Sequence, residues 1–153
     1  MDDLSPLKVP PHSIEAERSV LGGLMLDDNA WDNISVALAA EDFYRSDHRI
    51  IYRVMVDLVE KNHPLDIITI SEALEGIGEL ENVGGLAYIS DLASSTPTAS
   101  NIHAYAQIVR ERSTVRGLIS VAHEIADSGF NPDGRNSATL IDEAESKVFK
   151  ISD

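Results

Sequence analysis

The sequence predicts an all-α fold, in which a small helical head is followed by a C-terminal antiparallel helical hairpin. One helical repeat is especially clear, because its apolar residues recur at i, i+3, i+4, i+7 and i+8: Ile51, Val54, Met55, Leu58 and Val59. The stretch 100–128 contains no proline, and Gly117 is its only weak helix former. The one strand-like run is residues 67–70, and against it stands a capping box that begins at Thr69.

The N-terminal part of the head begins with an arm and a first helix. Residues 1–12 contain three prolines and are expected to form an extended arm. Ser13 is a suitable N-cap, and Glu15 and Glu17 lie in the first turn, where the helix dipole favours anions. The apolar residues of this helix share one face: Ile14, Val20, Leu21, Leu24 and Met25. The pair Gly22-Gly23 leaves room for another helix to approach closely.

Four further helices are expected in the rest of the head, which we assign to residues 13–98. Asp28 or Asn29 is expected to cap the second helix, and Ser46 the third. Thr69 and Glu72 have the spacing of a capping box, which predicts a helix from about Ile70 to Glu75. A locally extended segment at residues 66–69 is the alternative. Another short helix is indicated by Leu86, Ile89 and Leu92.

Residues 99–153 are expected to form the hairpin. The pattern predicts a long helix over about 100–128, a turn at 129–136 and a last helix over about 137–151, capped by Asn136 or Ser137. The last helix has apolar residues at the 3-4-3 spacing of a helix-pairing seam: Ile141, Ala144, Val148 and Ile151.

The long helix has more apolar surface than one partner helix can cover. One stripe contains Ile108, Val115, Leu118, Ala122 and Ile125, and a second contains Ile102, Tyr105, Val109, Ile119 and Ala126. One interpretation is that one stripe packs on the last helix and the other on the head. The other interpretation is that the thin two-helix arm is buried against a second copy or another protein.

Charge and composition exclude several classes of function. The chain has 12 basic and 26 acidic residues, a net charge of −14, which argues against binding of nucleic acid along the whole chain. Residues 1–100 hold 6 basic and 18 acidic residues, whereas residues 101–153 hold 6 and 8, so the second part is expected to meet partners. Cysteine is absent, which excludes disulfides, thiolate zinc sites and cysteine nucleophiles. With no signal peptide or membrane span expected, the predicted location is the cytoplasm.

No motif in the sequence indicates chemistry. A phosphate-binding loop, a dinucleotide fingerprint and a nucleophile elbow are all absent. The pair His123-Glu124 lacks the second ligand of a zinc-protease helix, and the five histidines, at positions 12, 48, 63, 103 and 123, have no metal-ligand spacing. We therefore expect no catalytic residue, no metal site and no cofactor site in this chain.

Two groups of arginines are candidate binding sites for a partner subunit or for DNA. Arg45, Arg49 and Arg53 recur at i+4, and the long helix carries Arg110, Arg112 and Arg116. Pairing with some of the many carboxylates is the favoured interpretation, ahead of salt bridges between subunits and of DNA contact.

Several motifs resemble one protein family. The segment from Val9 to Met25, which includes Val9-Pro10-Pro11-His12-Ser13-Ile14-Glu15 and Leu21-Gly22-Gly23-Leu24-Met25, resembles the start of bacterial replicative helicases of the DnaB type. Further matches follow in order: Asp42-Phe43-Tyr44, Val83-Gly84-Gly85, Tyr105-Ala106-Gln107-Ile108-Val109-Arg110-Glu111-Arg112 and Ala144-Glu145-Ser146-Lys147-Val148-Phe149. Together they cover nearly the whole chain from Leu7 onward.

The resemblance implies the N-terminal domain of such a helicase. In that family the domain is an all-α head plus a hairpin, and hairpins pair between subunits to give a trimer-of-dimers collar on a hexameric ring. The collar recruits the C-terminal domain of primase and responds to helicase loaders. The RecA-like ATPase domain of the family, which uses ATP and Mg, is missing from this chain. No enzyme activity is therefore expected in the fragment, and DNA contact is expected only through the full-length ring.

The resemblance also implies contact residues. Those assigned to primase are Ile119, Ile125 and Leu140 on the hairpin, with Glu15 and Tyr88 on the head. Leu140 lies one residue off the predicted seam and is expected to face outward. Residues assigned to subunit association are Ile108, Val115, Leu118, Ile141 and Val148. For each primase contact the alternative is a place in the hairpin core.

Two other identities remain open at this point. The helicase-binding domain of primase resembles the same fold, a small helical head plus a hairpin. A stand-alone acidic all-α regulator that binds DNA through Arg110, Arg112 and Arg116 is a different class of protein.

Overall fold

A computed structural model describes residues 8–96 and 98–152, and this part of the chain is helical, with no β-strand. The all-α prediction is confirmed. The described residues form seven α-helices: α1 (Ile14–Leu26), α2 (Trp31–Ala37), α3 (Ser46–Glu60), α4 (Ile67–Gly76), α5 (Gly85–Ser95), α6 (Ile102–Phe130) and α7 (Ser137–Ile151). Short 3-10 turns occur at Asp28–Ala30 and Ala40–Asp42. Residues 1–7 of the predicted arm lie outside the described residues.

The chain forms two compact units. Among the described residues, the head unit comprises 12–96 and 98–113, and the hairpin unit comprises 114–152 with the N-terminal segment 8–11. The head unit includes the first part of α6, which the sequence analysis assigned to the hairpin.

Two helix caps are those predicted from sequence. The Ser13 hydroxyl accepts the N–H of Ala16 at 3.2 Å, and the Asn136 side chain accepts the N–H of Thr139 at 2.9 Å. Each side chain satisfies a backbone donor that the first helical turn leaves unpaired.

Two other predicted caps are wrong. Asp27, not Asp28 or Asn29, accepts an N–H at the 3-10 turn before α2. The N-cap of α3 is Arg45, without a capping side chain, and Ser46 is the first helical residue. The segment before α3 is held by Glu17, whose carboxylate accepts the N–H groups of Tyr44 and Arg45, so a local rule for caps does not locate that start.

The predicted start of α4 is also wrong. Residues 67–70, the strand-like run, are the first turn of α4. The Asp66 side chain accepts the N–H of Thr69 at 2.8 Å, and Thr69 Oγ1 accepts the N–H of Asp66 at 3.1 Å. Thr69 is therefore the reciprocal partner in a capping box that begins three residues earlier than expected.

Close packing of α1 on α5 depends on a glycine. A Cβ atom on Gly22 would lie 1.9 Å from Thr96 Oγ1 and 2.2 Å from the carbonyl oxygen of Leu92. A Cβ atom on Gly23 would lie 3.0 Å from the side chain of Ile102. The sequence predicted a close approach at this pair, and the backbone oxygen at Gly22 leaves no space for any larger residue.

Aromatic side chains form the centre of the head core around α3. Tyr52 is buried, with its ring centroid 5.0 Å from that of Phe43 and 5.3 Å from that of Trp31. Its hydroxyl donates to the carbonyl oxygen of Leu38 at 3.0 Å. Burial, and secondarily the carboxylate of Asp42, raises the pKa of Tyr52 to about 12.

Asp42 joins the second 3-10 turn to the beginning of α6. Its carboxylate is buried and accepts the N–H of Ala39 at 2.8 Å, the hydroxyl of Ser113 at 2.7 Å and Nη1 of Arg110 at 3.2 Å. A buried carboxylate is tolerated only with such donors. This contact fixes the part of α6 that belongs to the head unit.

We expect Gly22→Ala to destabilise the protein by about 2–3 kcal/mol or more, because the new methyl group overlaps a backbone oxygen that cannot move alone. Gly76→Ala is the control, since its Cβ would meet no atom within 4 Å and alanine favours a helix, with a gain of up to about 1 kcal/mol. Urea unfolding followed by circular dichroism measures both. Equal stability of the two variants would contradict the close approach.

The free energy of unfolding is expected to fall between about pH 10 and pH 12 because of Tyr52. An unfolded tyrosine ionises near pH 10, whereas Tyr52 in the folded state stays protonated to about pH 12. The unfolded state thus loses a proton that the folded state keeps, and the free energy of unfolding drops by up to about 1.4 kcal/mol per pH unit. Tyr52→Phe should reduce this slope in urea titrations at about pH 9 and about pH 11. An unchanged slope would exclude Tyr52 as its source.

Candidate partner-binding surfaces

Glu17 is a buried carboxylate in the head unit. Only 1% of the residue is exposed. Its Oε2 accepts the N–H of Tyr44 at 2.7 Å, and its Oε1 accepts the N–H of Arg45 at 3.4 Å. The same Oε1 lies 2.7 Å from Nδ1 of His48. Glu17 thus holds the segment that enters α3 against α1.

His48 extends this contact to α5. Its ring is fully buried, and Nε2 lies 2.6 Å from the hydroxyl oxygen of Tyr88. The rings of His48 and Tyr88 are nearly parallel, with an interplanar angle of 9°. Glu17, His48 and Tyr88 therefore form one hydrogen-bonded chain across α1, α3 and α5, which we call the Glu17–His48–Tyr88 chain.

Tyr88 is the half-buried end of the Glu17–His48–Tyr88 chain. The guanidinium groups of Arg18 and Arg45 lie 5.3 Å and 5.4 Å from the centre of its ring, within the range of a cation–π interaction. Burial raises the pKa of the Tyr88 hydroxyl, while these two cations oppose that rise. Hydrogen bonds to Asp91 and Asp47 raise the pKa of Arg18 and of Arg45, respectively.

Gly84 makes room for Tyr88 at the start of α5. Its φ is +104°, and a Cβ atom there would lie 2.7 Å from Cβ of Tyr88. A side chain at this position would strain the backbone and displace the tyrosine. The Val83-Gly84-Gly85 motif thus contributes directly to the position of Tyr88.

The head residues assigned to primase differ in their surroundings. Tyr88 is tied to the core, whereas Glu15 is exposed in the first turn of α1. The sequence analysis missed Glu17 and His48 as parts of this site, because it interpreted Glu17 only as a first-turn carboxylate. No spacing rule connects it with a histidine 31 positions away.

In the hairpin unit, α6 and α7 run antiparallel. A Cβ atom on Gly117 would lie 3.8 Å from Ile151, and Lys147 Nζ lies 3.5 Å from Glu124 Oε1. The connection is closed by Arg135, whose Nε donates to the carbonyl oxygen of Pro132 at 2.7 Å. None of residues 114–152, all of which the structure describes, is buried.

The predicted seam of α7 is wrong at two positions. The half-buried residues at 4-3-4 spacing are Leu140, Ala144, Lys147 and Ile151. Ile141 and Val148, which the pattern placed in the seam, are 59% and 46% exposed. Lys147 lies in the seam because its aliphatic stem covers α6 while its ammonium reaches Glu124, so polarity alone misidentifies the buried face.

A shallow apolar groove lies between the two helices of the hairpin. Its volume is about 180 Å³, and its lining includes Ile125 from α6 and Leu140 and Ile141 from α7. Leu140 lines this groove. The sequence predicted instead that Leu140 faces outward from the hairpin. The structure therefore brings together two residues assigned to primase and one assigned to subunit association.

Other assigned residues lie outside the groove. On the hairpin, Leu118 and Ile119 are 51% and 41% exposed, and Val115 is half-buried. Ile108 belongs to the head unit and is 36% exposed. The sequence analysis did not assign Phe130 and Phe149, which are 85% and 72% exposed. Both are large apolar residues, and neither occupies a position of the predicted α7 seam. These two features could have indicated an exposed contact residue.

Five of the six arginines in the two groups make contacts within the protein. Arg45 pairs with Asp47, Arg53 lies 4.0 Å from Glu41 and Arg110 binds Asp42, as the favoured interpretation predicted. Two others bind backbone carbonyl oxygens instead: Arg49 those of Phe43 and Tyr44, and Arg116 that of Pro11 at 2.8 Å. Arg110 and Arg116 therefore already serve internal contacts, which weakens the DNA-binding interpretation.

Within the described ranges, His, Cys, Asp and Glu side chains form no group of three or more that is suited to a metal ion. Among the same residues, no helix combines the length and the apolar character needed to cross a bilayer.

Comparison with known proteins identifies the family. Residues 9–111 match the family described as DnaB-like helicase N terminal domain. The chain belongs to this family. It is 47% identical over 143 residues to the replicative DNA helicase DnaB of Buchnera aphidicola subsp. Baizongia pistaciae, and 45% identical over 147 residues to that of Haemophilus influenzae. These alignments cover 94% and 96% of this chain but 31% of each helicase.

Two solved structures have the same fold. The crystal structure of the N-terminal domain of DnaB helicase from Mycobacterium tuberculosis superposes with a TM-score of 0.88 at 33% identity, covering 93% of this chain and 99% of that one. The structure of a DnaB-like replicative helicase and its interactions with primase gives a TM-score of 0.75 at 26% identity, covering 91% of this chain and 31% of the other.

Membership in the DnaB-like N-terminal family selects between the identities left open by the sequence. The chain is on the helicase side, so the interpretation as a helicase-binding domain of primase is wrong, and so is that of an unrelated acidic regulator. It spans about a third of the length of the curated relatives. The matched part is the N-terminal domain and carries no catalytic domain.

Proposed function

We propose that this domain associates helicase subunits within the ring and recruits primase and the helicase loader at the replication fork. It performs no chemistry itself. In this proposal ATP, Mg and DNA are bound by the longer protein, in the cytoplasm, and the domain acts only through protein contacts.

The observation that carries the proposal is the unburied hairpin. All of residues 114–152 are at least partly exposed, although large apolar side chains occur on both helices. Helices gain most of their stability by burying an apolar face, and exposed apolar patches on stable proteins usually mark interaction sites. A hairpin of this kind is suited to packing against another protein.

The exposed residues support a division into two contacts. For primase, the proposed residues on the hairpin are Ile119, Ile125 and Leu140, of which the last two share the groove. The proposed residues for subunit association are Ile108, Val115, Leu118, Ile141 and Val148. The exposure of Ile141 and Val148 supports their role, because neither is used by the pairing of α6 with α7.

On the head, the proposal places Glu15 and Tyr88 in the primase contact. Tyr88 combines a partly exposed ring with two neighbouring guanidinium groups, a composition that is common at binding hot spots. A related DnaB-like helicase has a described interaction with primase, which supports primase as the partner.

Light scattering on a sizing column, with and without the primase C-terminal domain from the same source, tests the proposal. We expect a co-eluting complex whose mass gives the stoichiometry. Self-association without primase binding would leave only the subunit role. A monomer that binds neither would contradict both roles.

Ile125→Asn is expected to weaken primase binding by about tenfold or more, because it places an amide in the apolar groove. Helical content and melting temperature should remain near those of the unchanged protein, since Ile125 is only half-buried. Titration calorimetry and circular dichroism measure the two effects.

Ile68→Asn is the matched control, because Ile68 is 74% exposed on α4 and belongs to neither proposed contact. It should leave binding unchanged. If Ile125→Asn also unfolds the domain, its assignment to the surface is refuted.

A further inference from the structure

The geometry points to Glu17 and His48 as positioning residues for the primase contact at Tyr88. The inference rests on the proposed function for Tyr88, and it adds two buried residues that touch no partner. They act by holding the tyrosine in one orientation before the partner arrives.

The hydrogen-bond partners of Glu17 indicate which atom is the donor in each bond of the Glu17–His48–Tyr88 chain. Backbone N–H groups only donate, so both oxygens of Glu17 act as acceptors toward Tyr44 and Arg45. The proton between Glu17 and His48 therefore belongs to Nδ1. In a neutral imidazole Nε2 is then an acceptor, and the Tyr88 hydroxyl donates to it.

All three side chains of this arrangement are restricted by their surroundings. His48 is fully buried and Glu17 is 1% exposed, so neither side chain has space for another rotamer. Tyr88 is further restricted by the guanidinium groups of Arg18 and Arg45 beside its ring. A side chain that is already ordered loses little entropy on binding, which increases affinity.

The first experiment measures primase affinity for Tyr88→Phe, His48→Gln and the double variant. Tyr88→Phe keeps the aromatic ring but removes the hydroxyl that binds His48, so the ring is no longer held in one orientation. This variant should weaken primase binding by about two- to tenfold. His48→Gln should have a similar effect. In the double variant the losses should not add, because His48 acts through the Tyr88 hydroxyl. Additive losses, or full affinity in folded Tyr88→Phe, would overturn the inference.

Tyr52→Phe is the matched control. It also removes one tyrosine hydroxyl that donates a hydrogen bond, here to Leu38, at a core position outside the proposed contact. We expect it to lower the melting temperature without changing primase affinity. An equal loss of affinity in this variant would mean that general destabilisation explains the effect, and would refute positioning.

NMR tests the assigned hydrogen-bond donors directly. It requires neither primase nor a variant of His48. Nitrogen-15 NMR of the His48 ring should show protonated Nδ1 and unprotonated Nε2 in the unchanged protein, and a shifted Nε2 signal in Tyr88→Phe. A proton on Nε2, or an Nε2 signal that is unaffected by Tyr88→Phe, would overturn the assigned chain.

Tyr88→Ala separates failure of this inference from failure of the proposed contact. If Tyr88→Ala leaves primase affinity unchanged, Tyr88 is not a contact, and the positioning role falls with it. If Tyr88→Ala weakens binding while the Tyr88→Phe and His48→Gln losses add, the contact stands and only the positioning role is refuted.

Discussion

The buried carboxylate of Glu17 is the interaction on which the head unit depends most. An ionised carboxylate is very costly to bury without compensating donors, and Glu17 has three, two backbone N–H groups and His48. These donors lie at the entrance to α3, where no side chain caps the helix. Any slip of α1 along α3 would leave the carboxylate and its donors unpaired, so this contact fixes how the two helices lie together.

The hairpin unit is stabilised in the opposite way. It has no buried side chain in residues 114–152, and its order comes from the half-buried seam of α7, the Asn136 cap, the Arg135 contacts at the turn and an ion pair between α6 and α7. Such surface contacts are each worth little. The apolar area that would stabilise it in a larger protein is left on the outside, where a partner can cover it.

The sequence correctly predicted those parts of the fold that depend on residues close together along the sequence. The Ser13 and Asn136 caps and the close approach at Gly22 follow from local rules, and the structure has all three. The start of α4 was misplaced because Asp66 and Thr69 form the box that was assigned to Thr69 and Glu72. The Glu17–His48–Tyr88 chain joins residues 31 and 40 positions apart, and only the folded arrangement of three helices brings them together.

The error in the α7 seam has a consequence for the proposed function. Apolar residues at 140, 141, 144 and 148 fit two neighbouring faces equally well, and a rotation of the helix by one position exchanges buried and exposed residues. On the observed face, Leu140 lines the groove with Ile125 and is half-buried, whereas Ile141 lines it but is 59% exposed. Under the proposed function, Ile141, which is assigned to subunit association, then lines the same groove as Ile125 and Leu140, which are assigned to primase. If primase and a neighbouring subunit both reach this groove, each changes the affinity of the other by the same factor, so primase binding and subunit association are coupled there.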